Sequence, residues 1–299
     1  MSLLQLIKLC RPQQWYKNFL VFLPLIFVGR LFEKELLLLS IAGFVALCFM
    51  SSTNYILNDL FDMKKDRLNS EKKSRPLASG AVKPWQALII AVVLFAASIW
   101  IALNFSKYFT YSLLFLFVTT LWYSVVLKKE AILDILLIGV NFITRSISGT
   151  FLINVSISPW LVLCTFFLSL FLSTAKRQSE LAFLGEHAQM HRSVLKKYTP
   201  QLTNALIIIS TALLIVSYSL YSFLSNYKHL FFTIPIALYV ITRYLYLAYS
   251  GSEIARHPEK AIKDWKLMLG MLLLVLLDLF IIYEKEFAKI LIYLSQTMF

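Results

Sequence analysis

The sequence predicts an all-α, polytopic membrane protein with nine transmembrane helices. Hydrophobic residues make up 59% of the 299 residues, charged residues only 15%, and the mean hydropathy is +0.72. A soluble domain carries about 25% charged residues. The apolar residues form long unbroken runs, each close to the roughly 20 residues that cross a bilayer as an α-helix. A transmembrane β-barrel would show short alternating segments instead, so the spans are expected to be helices that satisfy their own backbone hydrogen bonds.

Taken in order from the N-terminus, nine apolar segments reach or approach the length of a span. They lie near residues 18–30, 36–57, 84–104, 108–127, 131–153, 159–175, 202–225, 229–248 and 266–283. The first is short and contains Pro24. Because no A-x-A cleavage site follows it, an uncleaved helix is expected rather than a signal peptide. The segment 285–298 is expected to be an interfacial helix.

No internal repeat is evident, so residues 1–299 are expected to form a single membrane domain. Basic residues orient its helices. With the N-terminus inside, 21 of the 29 Lys and Arg residues fall in inner segments and six in outer segments. This bias satisfies the positive-inside rule and places four motif-bearing segments in the cytoplasm, near 57–83, 128–131, 176–201 and 249–265. The net charge of +13 therefore follows from topology and implies no nucleic-acid partner.

The segment 54–80 reads NYILNDLFDMKKDRLNSEKKSRPLASG and carries both carboxylates and cations. Asn58, Asp62 and Asp66 are spaced by four, and Asp59 falls on the same face, so a helix stacks them. Such oxygen ligands suit Mg²⁺, which keeps waters and shares its shell with substrate phosphates. The basic residues that follow suit phosphate oxygens; they are Arg67, Lys72, Lys73 and Arg75. The segment thus predicts a diphosphate site with Asn58 and the three aspartates at the metal. The alternative is a solvated loop of mixed charge.

The pattern N-D-x-x-D-x-x-x-D-R-x-N, followed by K-x-x-R-P-x-A-S-G, resembles the first Asp-rich motif of the UbiA superfamily of membrane prenyltransferases. Nine helices with this motif after the second are also similar to that family. The resemblance covers essentially the whole chain. It implies a UbiA-like helical bundle, a Mg²⁺ cofactor, and a diphosphate substrate held in a helical cavity that opens to the membrane.

The second Asp-rich motif of that superfamily is missing. After the sixth span the chain reads STAKRQSELAFLGEH, and no aspartate occurs between Asp134 and Asp264. Lys176 and Arg177 stand there instead, with Glu180 one turn on. A Lys-Arg pair attracts an anion such as a lipid phosphate rather than a second metal. This departure disfavours prenyl transfer to an aromatic or quinone precursor, which is kept as the alternative.

Four further segments resemble one branch of the superfamily, the decaprenyl-phosphate phosphoribosyltransferases. They are WYKN near Trp15, KR-x-x-EL at Lys176, R-x-x-L-x-x-Y from Arg192 to Tyr198, and HPEKAIKD near Pro258. This resemblance implies phosphoribosyl pyrophosphate as donor and a polyprenyl phosphate as acceptor, bound by Lys176 and Arg177. It also implies a bacterial cytoplasmic membrane and a product used for cell-wall arabinan. The sequence leaves the oligomeric state open, and a homo-oligomer is one of the alternatives. A lipid transporter, the other alternative, would show paired broken helices and repeats.

Several residues outside the motif are candidate ligands of the donor. Lys17 is either an interfacial snorkelling residue or a phosphate ligand. Tyr55 precedes Asn58 by three positions and either faces the cavity or packs as a bundle aromatic. Tyr123 ends the fourth span together with Lys128 and Lys129, which are either a flanking positive-inside pair or include a lysine that reaches a substrate phosphate.

The remaining ionisable residues need separate explanations. Arg145 lies within the fifth span, where a cation is costly unless it faces a polar cavity or a partner. With Asn141 on the same face, it is expected to line the substrate cavity. Arg243 is placed to snorkel from the eighth span. His187 and His191 are four apart but lack a third ligand, so a solvated loop helix is expected there rather than a metal site.

Overall fold

A computed structural model describes residues 2–69, 72–184 and 197–289. Over these ranges the regular structure is entirely helical and contains no strand, which confirms the predicted fold class. The α-helices are α1 (Leu3–Cys10), α2 (Leu23–Phe27), α3 (Lys34–Leu68), α4 (Pro84–Leu103), α5 (Lys107–Val125), α6 (Leu133–Leu152), α7 (Pro159–Leu184), α8 (Pro200–Leu224), α9 (Ile234–Tyr249), α10 (Glu253–Arg256) and α11 (Trp265–Ile282). Short 3₁₀ helices cover Pro12–Phe22, Leu127–Lys129, Leu230–Thr233 and Pro258–Lys263.

Within the described part of the chain, eight helices are long and apolar enough to cross a membrane. They are α3 to α8, the segment Leu230–Tyr249 that ends in α9, and α11. Each coincides with a span predicted from the sequence, and together they make the chain a multi-pass membrane protein. The predicted interfacial helix at 285–298 lies mostly outside the described residues, as do His187, His191 and Arg192.

The first predicted span differs from expectation because it is not one α-helix. The 3₁₀ helix Pro12–Phe22 runs directly into the five residues of α2. A 3₁₀ helix rises about 2.0 Å per residue and an α-helix about 1.5 Å, so the two together reach about 30 Å. That length matches a hydrocarbon core, and a ninth crossing stays a prediction.

Helix ends follow from capping residues in the sequence. The side chains of Ser106, Thr199 and Asp264 accept hydrogen bonds from backbone N–H groups in the first turns of α5, α8 and α11. Such caps satisfy donors that have no partner within the helix. Pro84 and Pro200 occupy the first positions of α4 and α8, where a missing N–H costs nothing.

Helix α3 is longer than a membrane crossing requires. Its 35 residues span about 52 Å at 1.5 Å per residue, against a hydrocarbon core of about 30 Å. The predicted span ended at residue 57, whereas the helix continues to Leu68. The acidic motif therefore lies on a rigid helical extension, and the loop that follows begins at Asn69.

The chain divides into two compact units. The first comprises Met1–Leu25 and Leu31–Thr165, and its core includes Val21, Leu47 and Phe109. Helix α6 approaches the 3₁₀ helix so closely that a Cβ at Gly149 would lie 2.1 Å from the carbonyl oxygen of Val21. Glycine is therefore required at this crossing, one turn beyond Arg145.

The second unit comprises Ile26–Arg30 and Phe166–Phe299. Its core is built on Phe171, Ile207 and Leu247. The hydroxyls of Tyr227 and Tyr283 donate to the backbone carbonyls of Phe27 and Ile26 at 3.0 Å each. The expectation of one membrane domain over residues 1–299 stays a prediction.

Candidate active site

The first unit gathers the acidic motif and its basic partners at the C-terminal extension of α3. Arg75, from the loop that follows, donates through Nη1 to Asp59 Oδ1 at 3.0 Å and to Asp66 Oδ2 at 2.6 Å. The side chains of Asp59 and Asp66 are only 2% and 6% exposed. Buried carboxylates need such partners because an unpaired ion loses its hydration without compensation.

The sequence placed Arg75 beside phosphate, whereas the structure shows that it also neutralises two aspartates. The loop that delivers it is anchored by the buried side chains of Leu77 and Val82. It turns at Gly80, whose φ of +78° is a conformation that glycine adopts without steric cost. Arg75 is thus held in place by the fold of the loop as well as by its carboxylate partners.

Arg11 is a member of this site that the sequence did not single out. Its Nη2 donates to Asp59 Oδ1, the same oxygen that accepts from Arg75, and its guanidinium lies 5.5 Å from the ring centre of Tyr55. Arg11 ends α1 with φ +51° and is followed by Pro12, which disfavours helical conformations in the preceding residue. A non-glycine residue held in this region costs about 1–3 kcal/mol, and the contact with Asp59 offsets part of that cost.

Asp62 is bound differently. Both of its carboxylate oxygens accept from Lys128 Nζ, at 2.8 and 2.6 Å, and each side chain is 20% exposed. Lys128 reaches Asp62 from the short 3₁₀ helix between α5 and α6, just before Ile132 at φ +70°. This pairing supports the reading in which Lys128 belongs to the site rather than serving only as a flanking charge.

Asn58 lies one turn before Asp62 and is half-buried. Among the described residues its side chain makes no hydrogen bond, and the second oxygens of Asp59 and Asp66 accept none. An amide oxygen beside a half-exposed carboxylate on one helix face fits Mg²⁺, which is held by one or two carboxylates and completes its shell with water and phosphate oxygens. No group of three His, Cys, Asp or Glu residues converges on a metal-sized site in the described ranges, so the donor set is open and incomplete.

Arg145 is buried within α6, 6% exposed. Its Nε donates to Asn18 Oδ1 at 2.9 Å and its Nη1 to the backbone carbonyl of Asn141 at 2.9 Å. Asn18 is itself held by Ser51, whose hydroxyl donates to the same oxygen at 3.2 Å. Among the described residues, the cation is therefore solvated by neutral oxygens rather than neutralised by a carboxylate.

The 3₁₀ helix contributes the WYKN segment to the same unit. Trp15 Nε1 donates to Ser52 Oγ at 3.0 Å, and that hydroxyl donates to the backbone carbonyl of Cys10 at 2.8 Å. Lys17 is half-buried, donates to Gln14 Oε1 at 2.7 Å and lies 5.6 Å from the ring centre of Tyr16. Its ammonium is bound to a neutral amide, which leaves its charge available to an anion.

Three further predicted donor ligands also belong to the first unit. Arg67 is exposed, and its Nη2 donates to Met63 Sδ at 3.9 Å. Lys72 is exposed on the loop, and Tyr123 is half-buried near the end of α5. Their assignment to the donor stays a prediction.

In the second unit, Lys176 and Arg177 lie on α7. Arg177 is 2% exposed and its Nη1 donates to Glu180 Oε2 at 2.8 Å, whereas Lys176 is half-buried. The pairing with Glu180 makes Lys176 the more accessible of the two cations. Their predicted contact with an acceptor phosphate stays a prediction.

Two other groups of ion pairs lie in the second unit, one at Asp264 and one at Glu253. Arg243 donates to Asp264 at 2.6 Å, so it makes an ion pair rather than snorkelling alone. The bonds from Arg243 hold the pKa of Asp264 below its usual range. Hydrogen bonds from Lys260 and then Lys263 lower the pKa of Glu253 to about 2.

The chain is similar to known proteins of one family. The sequence profile of the UbiA prenyltransferase family matches residues 20–258. Decaprenyl-phosphate phosphoribosyltransferase of Mycolicibacterium smegmatis is 32% identical over 222 residues, which are 73% of this chain and 70% of that protein. The protein of the same name from Mycobacterium tuberculosis is 29% identical over 88% of this chain and 89% of its own length.

The fold also matches a solved structure. A UbiA homologue from Archaeoglobus fulgidus, solved bound to DMAPP and Mg²⁺, superposes with a TM-score of 0.68. The alignment covers 90% of this chain and 98% of that one at 16% sequence identity. At that identity the likeness shows a shared fold.

Proposed function

The chain belongs to the UbiA prenyltransferase family, and we propose that within this family it transfers 5-phosphoribose from phosphoribosyl pyrophosphate to a polyprenyl phosphate. The products would be a polyprenyl-phosphoryl 5-phosphoribose and pyrophosphate. Two relatives that match most of the chain carry the name decaprenyl-phosphate phosphoribosyltransferase. Their names support this activity over ordinary prenyl transfer.

The observation that carries the proposal is the polar face of α3. Three aspartates there are each held by a cation from another part of the first unit, while the side chain of Asn58 makes no hydrogen bond within the described chain. Arg11, Arg75 and Lys128 keep N–H donors that these pairs do not use. Such a face can take an anionic donor and its metal together.

Asn58 and Asp62 would hold Mg²⁺, with Asp59 or Asp66 contributing a second carboxylate oxygen. When bound, Mg²⁺ supplies charge neutralisation to the diphosphate. Lys128 is bonded to Asp62 and would contact the same phosphates once they arrive. Asp59 is the least available ligand because it already accepts from two guanidinium groups.

Arg145 would stabilise negative charge that grows on the departing pyrophosphate. A preoriented cation in a site shielded from water is an effective electrostatic catalyst, because it needs no reorganisation during reaction. Arg145 is held by neutral oxygens, so its charge is not cancelled by a neighbouring carboxylate. Lys17 and Tyr55 would line the donor on the side of the 3₁₀ helix and α3, respectively.

The nucleophile would be an oxygen of the polyprenyl phosphate, which is already ionised at neutral pH. No general base is required, and none is assigned. Lys176, with Arg177 behind it, would bind the acceptor phosphate. In-line attack on the α-configured donor predicts a β-linked product.

Membrane placement completes the proposal. The excess of basic residues in alternate connections supports a cytoplasmic N-terminus and a cytoplasmic α3–α4 connection. The donor is water-soluble, so its site must face an aqueous compartment, whereas the isoprenoid tail of the acceptor stays in the bilayer. The bacterial cytoplasmic membrane meets both needs.

The proposal is tested with the purified full chain in detergent and Mg²⁺. Labelled phosphoribosyl pyrophosphate and polyprenyl phosphate are supplied, and label is followed into the organic phase. Mg²⁺-dependent transfer is expected. Consumption of a prenyl diphosphate with an aromatic acceptor, and no transfer from phosphoribosyl pyrophosphate at any acceptor length, would establish the alternative prenyltransferase instead.

A further inference from the structure

We propose that Arg11 and Arg75, held together by Asp59, bind the 5-phosphate of the donor and so select a phosphorylated pentose over a prenyl chain. This inference rests on the proposed function. It assigns the two ends of the donor to two different parts of the α3 face. The diphosphate would lie at Asn58, Asp62 and Lys128, and the 5-phosphate at the paired arginines.

The first support is the way the two arginines are held. Both guanidinium groups donate to one oxygen, Asp59 Oδ1, although they come from positions 48 and 16 residues away in sequence. Each guanidinium carries five N–H groups. Among the described residues Arg11 makes one side-chain hydrogen bond and Arg75 makes two, so most of their donors are unused. Paired guanidinium forks with unused donors are suited to bidentate binding of a phosphate.

The second support is exposure. The carboxylate that joins the pair is 2% exposed, whereas the side chains of Arg11 and Arg75 are 18% and 25% exposed. Asp59 is therefore enclosed, and the arginines present the accessible part of the cluster. The ring of Tyr55 lies against the guanidinium of Arg11 at 5.5 Å, which fixes its plane and reduces the entropy lost on binding.

The third support is spacing. Asp59 and Asp62 are three residues apart on α3, nearly one turn and about 4.5 Å along the helix axis. Their basic partners differ: Asp59 is bound by arginines and Asp62 by Lys128. Two separate cationic centres one turn apart suit a ligand with two phosphate groups on either side of a small ring. A prenyl diphosphate has only one such group.

The same arrangement would disfavour a prenyl donor. A prenyl chain lying against the arginines would cover N–H groups without offering acceptors, and buried donors without partners are costly. Arg75 belongs to the segment by which the chain resembles the wider superfamily. Donor selection therefore rests mainly on Arg11, which is held at φ +51° before Pro12.

The test separates the two ends of the donor with two probes. Ribose 5-phosphate carries only the 5-phosphate, and Mg²⁺-pyrophosphate carries only the leaving group. Binding of each is measured by calorimetry on the full chain in detergent. We expect Arg11→Gln to weaken ribose 5-phosphate at least tenfold and to change Mg²⁺-pyrophosphate by less than threefold. Lys128→Gln, the matched control, should do the reverse.

Equal losses for both probes in Arg11→Gln would overturn the assignment, as would unchanged affinity for ribose 5-phosphate. If Arg11→Gln does not fold, Arg11→Lys replaces it in the test, because lysine keeps the charge beside Asp59 and lacks the planar guanidinium. A selective loss of affinity for ribose 5-phosphate is again expected. Failure of the proposed function has a different signature. The wild-type chain would then bind neither ribose 5-phosphate nor phosphoribosyl pyrophosphate, while binding a prenyl diphosphate.

Discussion

Each unit contains a cluster of ion pairs between acidic and basic side chains. The two clusters differ in the exposure of their carboxylates and in the hydrogen-bond donors that their basic residues leave unused. On α3, the carboxylates of Asp59 and Asp66 are buried, and their basic partners keep unused donors. In the segment 253–264, Glu253 is exposed and is bound by two lysines, and Asp264 both pairs with Arg243 and caps α11.

The difference teaches how to tell a ligand site from a structural ion pair. In the segment 253–264 the carboxylates are satisfied by their neighbours, and Glu253, at 44% exposure, is screened by solvent. In the cluster on α3 the protein keeps the carboxylates of Asp59 and Asp66 away from water. The half-buried side chain of Asn58 beside them makes no hydrogen bond within the described chain. Desolvated charge with unused donors and acceptors is the more reliable sign of a binding site.

The largest expected effect on stability comes from breaking the buried cluster. Asp59→Ala leaves two guanidinium groups without their shared carboxylate, and removing one partner of a buried ion pair costs about 3–5 kcal/mol. The thermal midpoint in detergent should fall steeply, and transfer activity should fall with it. Glu253→Ala is the control from the second unit, because the Glu253 side chain is 44% exposed, and it should lower the thermal midpoint only slightly. Equal destabilisation by the two changes would contradict the difference proposed between the cluster on α3 and the segment 253–264.

Replacing Arg145 with methionine should mainly affect catalysis. The change removes a cation positioned for the leaving group, and the expected loss of kcat is about 100-fold, or about 2.7 kcal/mol. Stability should change less, because a buried cation costs desolvation when present. Comparing kcat with the thermal midpoint checks this prediction. A variant with full kcat would remove Arg145 from the mechanism.

Asn58→Ala should act through the metal. Because the side chain makes no hydrogen bond among the described residues, its removal should leave the thermal midpoint nearly unchanged. The Mg²⁺ concentration that gives half-maximal transfer should rise about tenfold, equivalent to about 1.4 kcal/mol of metal binding. Titration of Mg²⁺ at saturating donor measures this. An unchanged requirement would exclude Asn58 as a ligand.

The smallest effect on stability is expected at Glu253. The pKa of Glu253 is lowered to about 2 by its lysine partners, so the stability that these bonds contribute is present above the ordinary glutamate pKa and is lost as pH falls towards 2. Glu253→Gln should lower the thermal midpoint slightly at pH 7, and 0.5 M NaCl should remove the difference. As pH falls through about 2, the variant and the wild type should converge. A difference in thermal midpoint that grows as the pH falls would contradict this prediction.

The sequence predicted the membrane-spanning helices well because each contains a long apolar run. The predicted second span ends at residue 57 because the apolar run ends there. The charged residues that follow do not end the helix, which continues to Leu68. The four-residue spacing correctly placed the aspartates on one face. Lys128 and Lys129 could not be separated, because only the tertiary contact with Asp62 distinguishes Lys128.

Arg11 was missed for a similar reason. In the sequence it is one more cation in a predicted inner segment, and its place in the cluster depends on a contact with Asp59, 48 residues away. The dipeptide Arg11-Pro12, which ends α1 in a strained conformation, was the available signal. The pairing of Arg177 with Glu180 was likewise open to prediction, since the two lie three residues apart on one helix.

The most direct test of the central claim is calorimetric binding of phosphoribosyl pyrophosphate to the full chain, with and without Mg²⁺ and without acceptor. If the polar face of α3 is the donor site, binding of phosphoribosyl pyrophosphate requires Mg²⁺. Binding is then lost in Asp62→Asn and retained in Glu253→Gln. Asp62→Asn keeps the size of the side chain and removes the charge that pairs with Lys128. Mg²⁺-dependent binding of undiminished affinity in Asp62→Asn would contradict the account.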